Sequence, residues 1–172
     1  MRPLVETVIE DRRWDGIGLG QIAERGARAA LAGVGLMPDG FSVALLACDD
    51  ARIAALNGTF RGKGSATNVL SWPAEERGAG AEGARPDLPE PGGAGMPREL
   101  GDIAIAWETC AREAEAAGKP LSDHAMHLVV HATLHLLGYD HIREGDAALM
   151  EGLETRILAG MGLPDPYSEP DS

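Results

Sequence analysis

Aromatic residues make up only 4% of the chain, so its core must be built mainly from Ala, Leu, Val and Ile. No apolar run approaches the roughly 18 residues that a membrane span needs. The opening MRPLVETVIEDRRW has acids and arginines where a signal peptide would carry an apolar stretch, so a cytoplasmic protein is expected. There are two cysteines, Cys48 and Cys110. They make no disulfide framework and no CxxC, and their apolar surroundings read as those of buried small hydrophobes. A broad basic face is also missing. The net charge is −12, and two segments supply most of it. Residues 74–99 hold six acids and three arginines, and residues 144–172 hold seven acids and one arginine. The remaining body is close to balanced, which leaves room for a local groove that takes nucleic acid.

What is present reads as one α+β domain over 1–163, a mixed sheet of about four strands packed with helices, followed by a disordered tail over 164–172. Strands are expected at 4–10, 41–48, 67–72 and 101–108, from alternating or continuous apolar runs between turn residues. Helices are expected at about 17–31, from Asp49 or Asp50 to near Gly62, at 109–117, from a cap at Ser122 or Asp123 to Gly138, and at 145–160. Residues 74–99, with six glycines, four prolines and no aromatic residue, read as a flexible loop that adds little to the core.

All five histidines fall between His124 and His141. His131 and His135, four apart on one helix, lie on one face a turn apart, the usual way for a helix to offer two imidazoles to one ion. His127 and His135 are separated by ~12 Å along the axis, too far to share an ion with bonds of ~2.1 Å. His141 is the third candidate. On a continuous helix it would face away, so Gly138 must end the helix and reverse the chain. His127 and Asp140 are expected to support the ligands, Asp140 by orienting an imidazole through its free N–H. Three neutral imidazoles leave an open position and suit one Zn²⁺, with nickel, copper or iron as other possible ions. The spacing HxxxHxxGxxH is also that of metzincin-type proteases, but the position of their glutamate base is Ala132. Alanine takes no proton, which argues against proteolysis.

Three blocks, HLVVHATLHLLGYDH (127–141), LNGTFRGKGSATNVLSWP (56–73) and LGDIAIA (100–106), resemble the YbeY-type endoribonucleases, bacterial rRNA maturation factors. The resemblance implies an α+β fold, zinc on His131, His135 and His141, and cleavage of single-stranded RNA. It further implies maturation of the 3′ end of 16S rRNA and ribosome quality control, with the rRNA precursor and the small ribosomal subunit as partners and no DNA or membrane. Arg61 matches the family's functional arginine, and a guanidinium can grip phosphate in a planar fork; Lys63 is a second phosphate candidate. Asn68 stands where the family usually has aspartate, and Trp72 where it has phenylalanine. Two other readings stay open: a metal-dependent hydrolase of a peptide or small molecule, and a non-catalytic ribosome-assembly module with a structural metal.

Overall fold

In the computed structural model, residues 3–61, 64–78, 80–93 and 95–167 are described; the side chains of Phe60 and Arg61 lie outside that description. The elements run β1 (Val5–Ile9), α1 (Leu19–Gly33), β2 (Phe41–Cys48), α2 (Asp50–Arg61), β3 (Val69–Pro73), β4 (Arg98–Ala106), α3 (Trp107–Ala117), α4 (Leu121–Leu136) and α5 (Glu144–Gly160), with a 3₁₀ turn over Arg12–Ile17. The four strands form one mixed sheet in the order β1-β2-β4-β3. β1, β2 and β4 are parallel, and β3 joins β4 antiparallel at the edge. Pro73 can end β3 because an edge strand leaves one side of its backbone free of the ladder. The expected α+β domain with a four-stranded mixed sheet is what the chain forms.

α4 is the centre of the molecule. Ala125, Met126, Val129, Val130, Ala132, Leu134 and Leu136 are all buried, so only its histidine-bearing side is left without core partners. α1 packs across it through a stripe of small residues, Ala23, Gly26, Ala27 and Ala30. A side chain at Gly26 would stand 3.0 Å from Met126 and from Val129. Small residues at the crossing let the two helices approach closely. The inward residues of β2, Val43, Leu45 and Ala47, complete this core with Ile103 and Ile105 of β4. On the other sheet face α2 covers one end, where Cys48, Ile53, Leu70, Ala104 and Ala106 cluster. The remainder is an open groove of about 510 Å³, floored by Val8, Ala44, Leu46 and Trp72 and carrying the acids Glu6 and Asp102.

Several boundaries differ from expectation. β4 starts at Arg98 and ends at Ala106, not at 101–108. Trp107 turns into α3 and packs edge-on against the fully buried Trp14, centroids 5.0 Å apart. α4 begins after Pro120 with no side-chain cap bond, so Ser122 and Asp123 sit inside its first turn and do not cap it. Both cysteines are buried and unpaired, as expected, and burial pushes the Cys48 thiol up to about 12.

Among its described residues up to Pro97, the 74–99 segment contains no helix or strand, with an isolated bridge between Gly93 and Met96, and its last two residues, Arg98 and Glu99, belong to β4. It places no large hydrophobic side chain in the core. It is nevertheless tied to its surroundings. Gly83 N–H donates to Asp146 (2.8 Å), Gly145 N–H to Glu82 (2.7 Å) and Gly92 N–H to the Gly40 carbonyl (2.8 Å). The tail, expected to be free from residue 164, is held as far as Tyr167 by bonds described below.

Candidate functional site

α4 delivers His127, His131 and His135 along one side and then stops. Gly138 adopts φ +103°, its N–H donates to the His135 carbonyl, and Tyr139 N–H donates to that of Leu134. This left-handed turn is open to glycine and strained for any other residue. It folds His141 back until its ring lies 5.4 Å from that of His131, centroid to centroid. The glycine has a second reason. A β-carbon at Gly138 would sit 2.6 Å from the Arg77 carbonyl oxygen, so the start of the 74–99 segment is pressed against the turn. Gly101 of β4 repeats the arrangement beside the edge strand β3: its φ is +146°, and an added β-carbon would lie 2.2 Å from the Trp72 carbonyl and 2.8 Å from Leu136 of α4. That close approach sets β3 against the end of α4.

Each helical histidine is held from behind. Glu154, on α5 with no exposed surface, accepts from His131 Nδ1 at 2.8 Å and from His127 Nε2 at 3.1 Å through one oxygen, and from the Tyr167 hydroxyl at 2.6 Å through the other. Burial pushes this carboxyl up, but the bonds from His127, His131 and Tyr167 outweigh it and hold the group at about 2. An ionised carboxylate only accepts. His131 must therefore carry its proton on Nδ1, which leaves the Nε2 lone pair free, the form in which an imidazole binds a metal. His135 Nδ1 meets the Ser71 hydroxyl of β3 at 2.5 Å, a group that can either donate or accept.

The expected residues are therefore distributed as follows. His131 and His141 come together, with His135 one turn further along α4. His127 supports the group through Glu154. Asp140 Oδ1 accepts the Ile142 N–H at 2.6 Å and shapes the turn, while the carboxylate that meets His131 is Glu154. Arg61 ends α2, but its side chain lies outside the described residues, as does Lys63 entirely. Asn57, buried, donates to the Ser65 carbonyl at 2.9 Å and so steers the chain from α2 back toward β3. Asn68 has its own use here. Its amide donates to Glu113 at 3.0 Å, the same oxygen that His124 Nε2 meets at 2.9 Å. An aspartate at 68 would set two carboxylates against each other.

Residues not anticipated from the sequence are Glu154, Ser71, Arg77 and Tyr167. One signal pointed to Glu154: it lies on the apolar stripe Met150, Leu153, Ile157 and Leu158 of α5, where an acid needs a buried partner. Among the described residues, no three His, Cys, Asp or Glu side chains are placed so that they could together hold a metal ion. The donor types, three imidazoles, are nevertheless those that would suit one. Imidazole nitrogens suit zinc, His131 presents Nε2, and the glycine turn brings His141 alongside. Beside His135 the surface opens into a pocket of about 400 Å³ bordered by Pro73, Arg77, Gly138 and Asp140.

Comparison with known proteins agrees with this architecture. The family model described as Endoribonuclease YbeY matches residues 18–162. The Endoribonuclease YbeY of Cereibacter sphaeroides is 59% identical over 167 residues, covering 97% of this chain and all of that protein. Those of Paracoccus denitrificans and Ruegeria pomeroyi are 58% and 57% identical, covering 96% and 95% of this chain and 90% and 98% of theirs. A Thermotoga maritima protein solved in solution shares the fold, with a TM-score of 0.54 at 17% identity over 98% of this chain and 99% of its own. With a histidine turn, a buried carboxylate behind it and relatives matched along nearly their full length, this chain belongs to the endoribonuclease YbeY family.

Proposed function

We propose that the chain is a zinc-dependent, single-strand-specific endoribonuclease that matures the 3′ end of 16S rRNA in the cytoplasm and takes part in ribosome quality control, with the rRNA precursor and the small subunit as its partners. The observation that carries this reading is the His131–Gly138–His141 turn backed by buried Glu154, in a chain of this family. His131, His135 and His141 would hold the ion. Zinc there supplies Lewis acidity toward a phosphoryl oxygen. Glu154 fixes His131 so that it offers one defined nitrogen, and Ser71 holds the ring of His135 in place. Arg61 would grip the scissile phosphate and stabilise the charge that develops on it. Ala132, fully buried, offers no base at the position a metzincin-type protease uses, which weighs against peptide substrates.

The test is a panel of single-stranded RNA, duplex RNA, DNA and peptide, run with metal-loaded protein before and after chelation. Single-stranded RNA should be cut and chelation should stop it. His135→Ala should lose both metal and activity. Arg61→Ala should keep fold and metal and lose about 10²–10³ in rate, the usual effect of removing one charge-stabilising donor. Peptide cleavage without RNA cleavage would replace this reading with a different hydrolase. Metal binding with no activity on any substrate would point to a non-catalytic assembly module.

A further inference from the structure

The chain does not run free after α5. Gly162 adopts φ +80°, and Leu163 N–H donates to the Leu158 carbonyl at 2.9 Å, a left-handed helix end that turns the segment back along the helix it has just left. Pro164 and Pro166 restrict the backbone on either side of Asp165. The Asp165 carboxylate accepts from the Thr155 hydroxyl at 3.2 Å and from Tyr167 N–H at 2.8 Å, so it pins the segment to α5. Tyr167 then reaches the histidine side. Its ring packs edge-on against His127 of α4, centroids 5.5 Å apart, and its hydroxyl donates to Glu154 Oε2 at 2.6 Å. Tyr167 is 45% exposed, whereas Glu154 has no exposed surface. Among the described residues, Tyr167 is the donor that Oε2 has; the other oxygen, Oε1, takes both His127 and His131. A buried carboxylate oxygen left without a donor costs free energy, and the group can turn about its last side-chain bond to find one. Turning carries Oε1 away from His131 Nδ1. The Tyr167 hydroxyl therefore locks the rotation on which the His131 contact depends.

We propose that Tyr167 is a positioning residue for the metal centre: acting through Glu154, its hydroxyl keeps the His131 imidazole in the Nδ1–H form, with Nε2 presented to the ion. This rests on the zinc reading above. The segment after residue 163, expected from the sequence to be a disordered tail, thereby belongs to the site.

Two measurements on the full-length protein test it. Each compares wild type with Tyr167→Phe, which loses only the hydroxyl, and Tyr167→Leu, which loses the ring as well. The first is the imidazole nitrogen spectrum of the metal-free protein at pH 8. Wild type should show His131 as a single Nδ1–H tautomer, and both variants should show it shifted toward a mixture with the Nε2–H form. The second is zinc affinity by competition with a chromophoric chelator. Both variants should bind zinc about tenfold more weakly, the low end of the effect of losing a ligand's outer partner. A packing role would leave Tyr167→Phe like wild type in both measurements, because the ring against His127 is kept; that result overturns the proposal while the zinc reading stands. Unchanged zinc affinity in Tyr167→Phe overturns it whatever the tautomer does. Weaker zinc binding with an unchanged His131 tautomer also overturns it, since the hydroxyl would not then act through Glu154. A wild type that binds no zinc overturns the zinc reading itself, and the role of Tyr167 at a metal centre with it. Should Tyr167→Leu not fold, Tyr167→Phe decides alone.

Discussion

Glu154 shows what one buried side chain can decide. A carboxylate with no exposed surface is stable only when its lone pairs are met by donors, and His127, His131 and Tyr167 provide them. The arrangement fixes the His131 tautomer and ties the C-terminal segment to the histidine helix. Glu154→Gln keeps the shape but removes the charge, and its amide can donate where an acceptor is needed. Zinc affinity, measured by competition with a chromophoric chelator, should fall about 10–100-fold, the usual effect of losing such an outer partner. Wild-type affinity in the variant would show that the carboxylate serves only packing. Asn68 makes the complementary point: its amide is suited to a neighbour, Glu113, that already carries negative charge.

Among the elements, two junctions control the geometry. The first is the turn from α4 into His141. Gly138→Ala forces a side chain into φ +103° and against the Arg77 carbonyl. A loss of about 1–3 kcal/mol in urea unfolding is expected from the backbone strain alone, with a larger loss of metal binding, since His141 would move away from His131. The second junction joins β1 to α1. Glu24 accepts the N–H groups of Val5 (2.9 Å) and Leu4 (3.0 Å) and pairs with Arg28. Partial burial pushes its carboxyl up, and those bonds bring it below its ordinary value of 4.5. A carboxyl lowered by folding contributes stability above its unfolded value and loses that contribution as the pH falls toward the folded one. Melting temperature followed from pH 7 to pH 3 should therefore decline less steeply below about pH 4.5 in Glu24→Gln, which starts from a lower stability at neutral pH. Parallel curves for the two proteins would remove Glu24 from the acid response.

At the scale of the whole molecule, the two faces of the sheet differ in chemistry. The open groove has an apolar floor with Glu6 and Asp102 in it, a surface that repels polyanions, so RNA is expected at the histidine side. With a net charge of −12, few phosphates can be neutralised. RNA affinity should weaken with salt along a shallow line, about 0.7 in log–log slope for each phosphate contacted, and a slope matching many contacts would reveal a basic track that the charge distribution does not suggest. The 74–99 segment behaves as a strap across this side. Glu82 takes the Gly145 N–H in the first turn of α5, where the helix has no side-chain cap of its own. Glu82→Ala should lower the melting temperature by about 2–4 °C, the effect of one lost cap in a domain of this size. No change would return the segment to the passive loop that its composition suggests.

Much of this was legible along the chain because it is local. Apolar periodicity marks β2 from 41 to 48 and places His131 and His135 on one side of a helix, and Gly138 can be read as the stop because few other residues adopt its turn. The motifs of residues 56–73, 100–106 and 127–141 point to the family directly. What the sequence could not decide depends on contacts between segments far apart in it. Glu154 is 23 residues from His131, Ser71 is 64 from His135, and Arg77 meets Gly138 only across the folded core. The strand order β1-β2-β4-β3 likewise depends on pairings between strands far apart in the chain, such as β2 with β4. Hydrogen-bond partners, the tautomer of an imidazole and the burial of a charged side chain are set by which groups exclude water together, and that is determined only when the chain has closed.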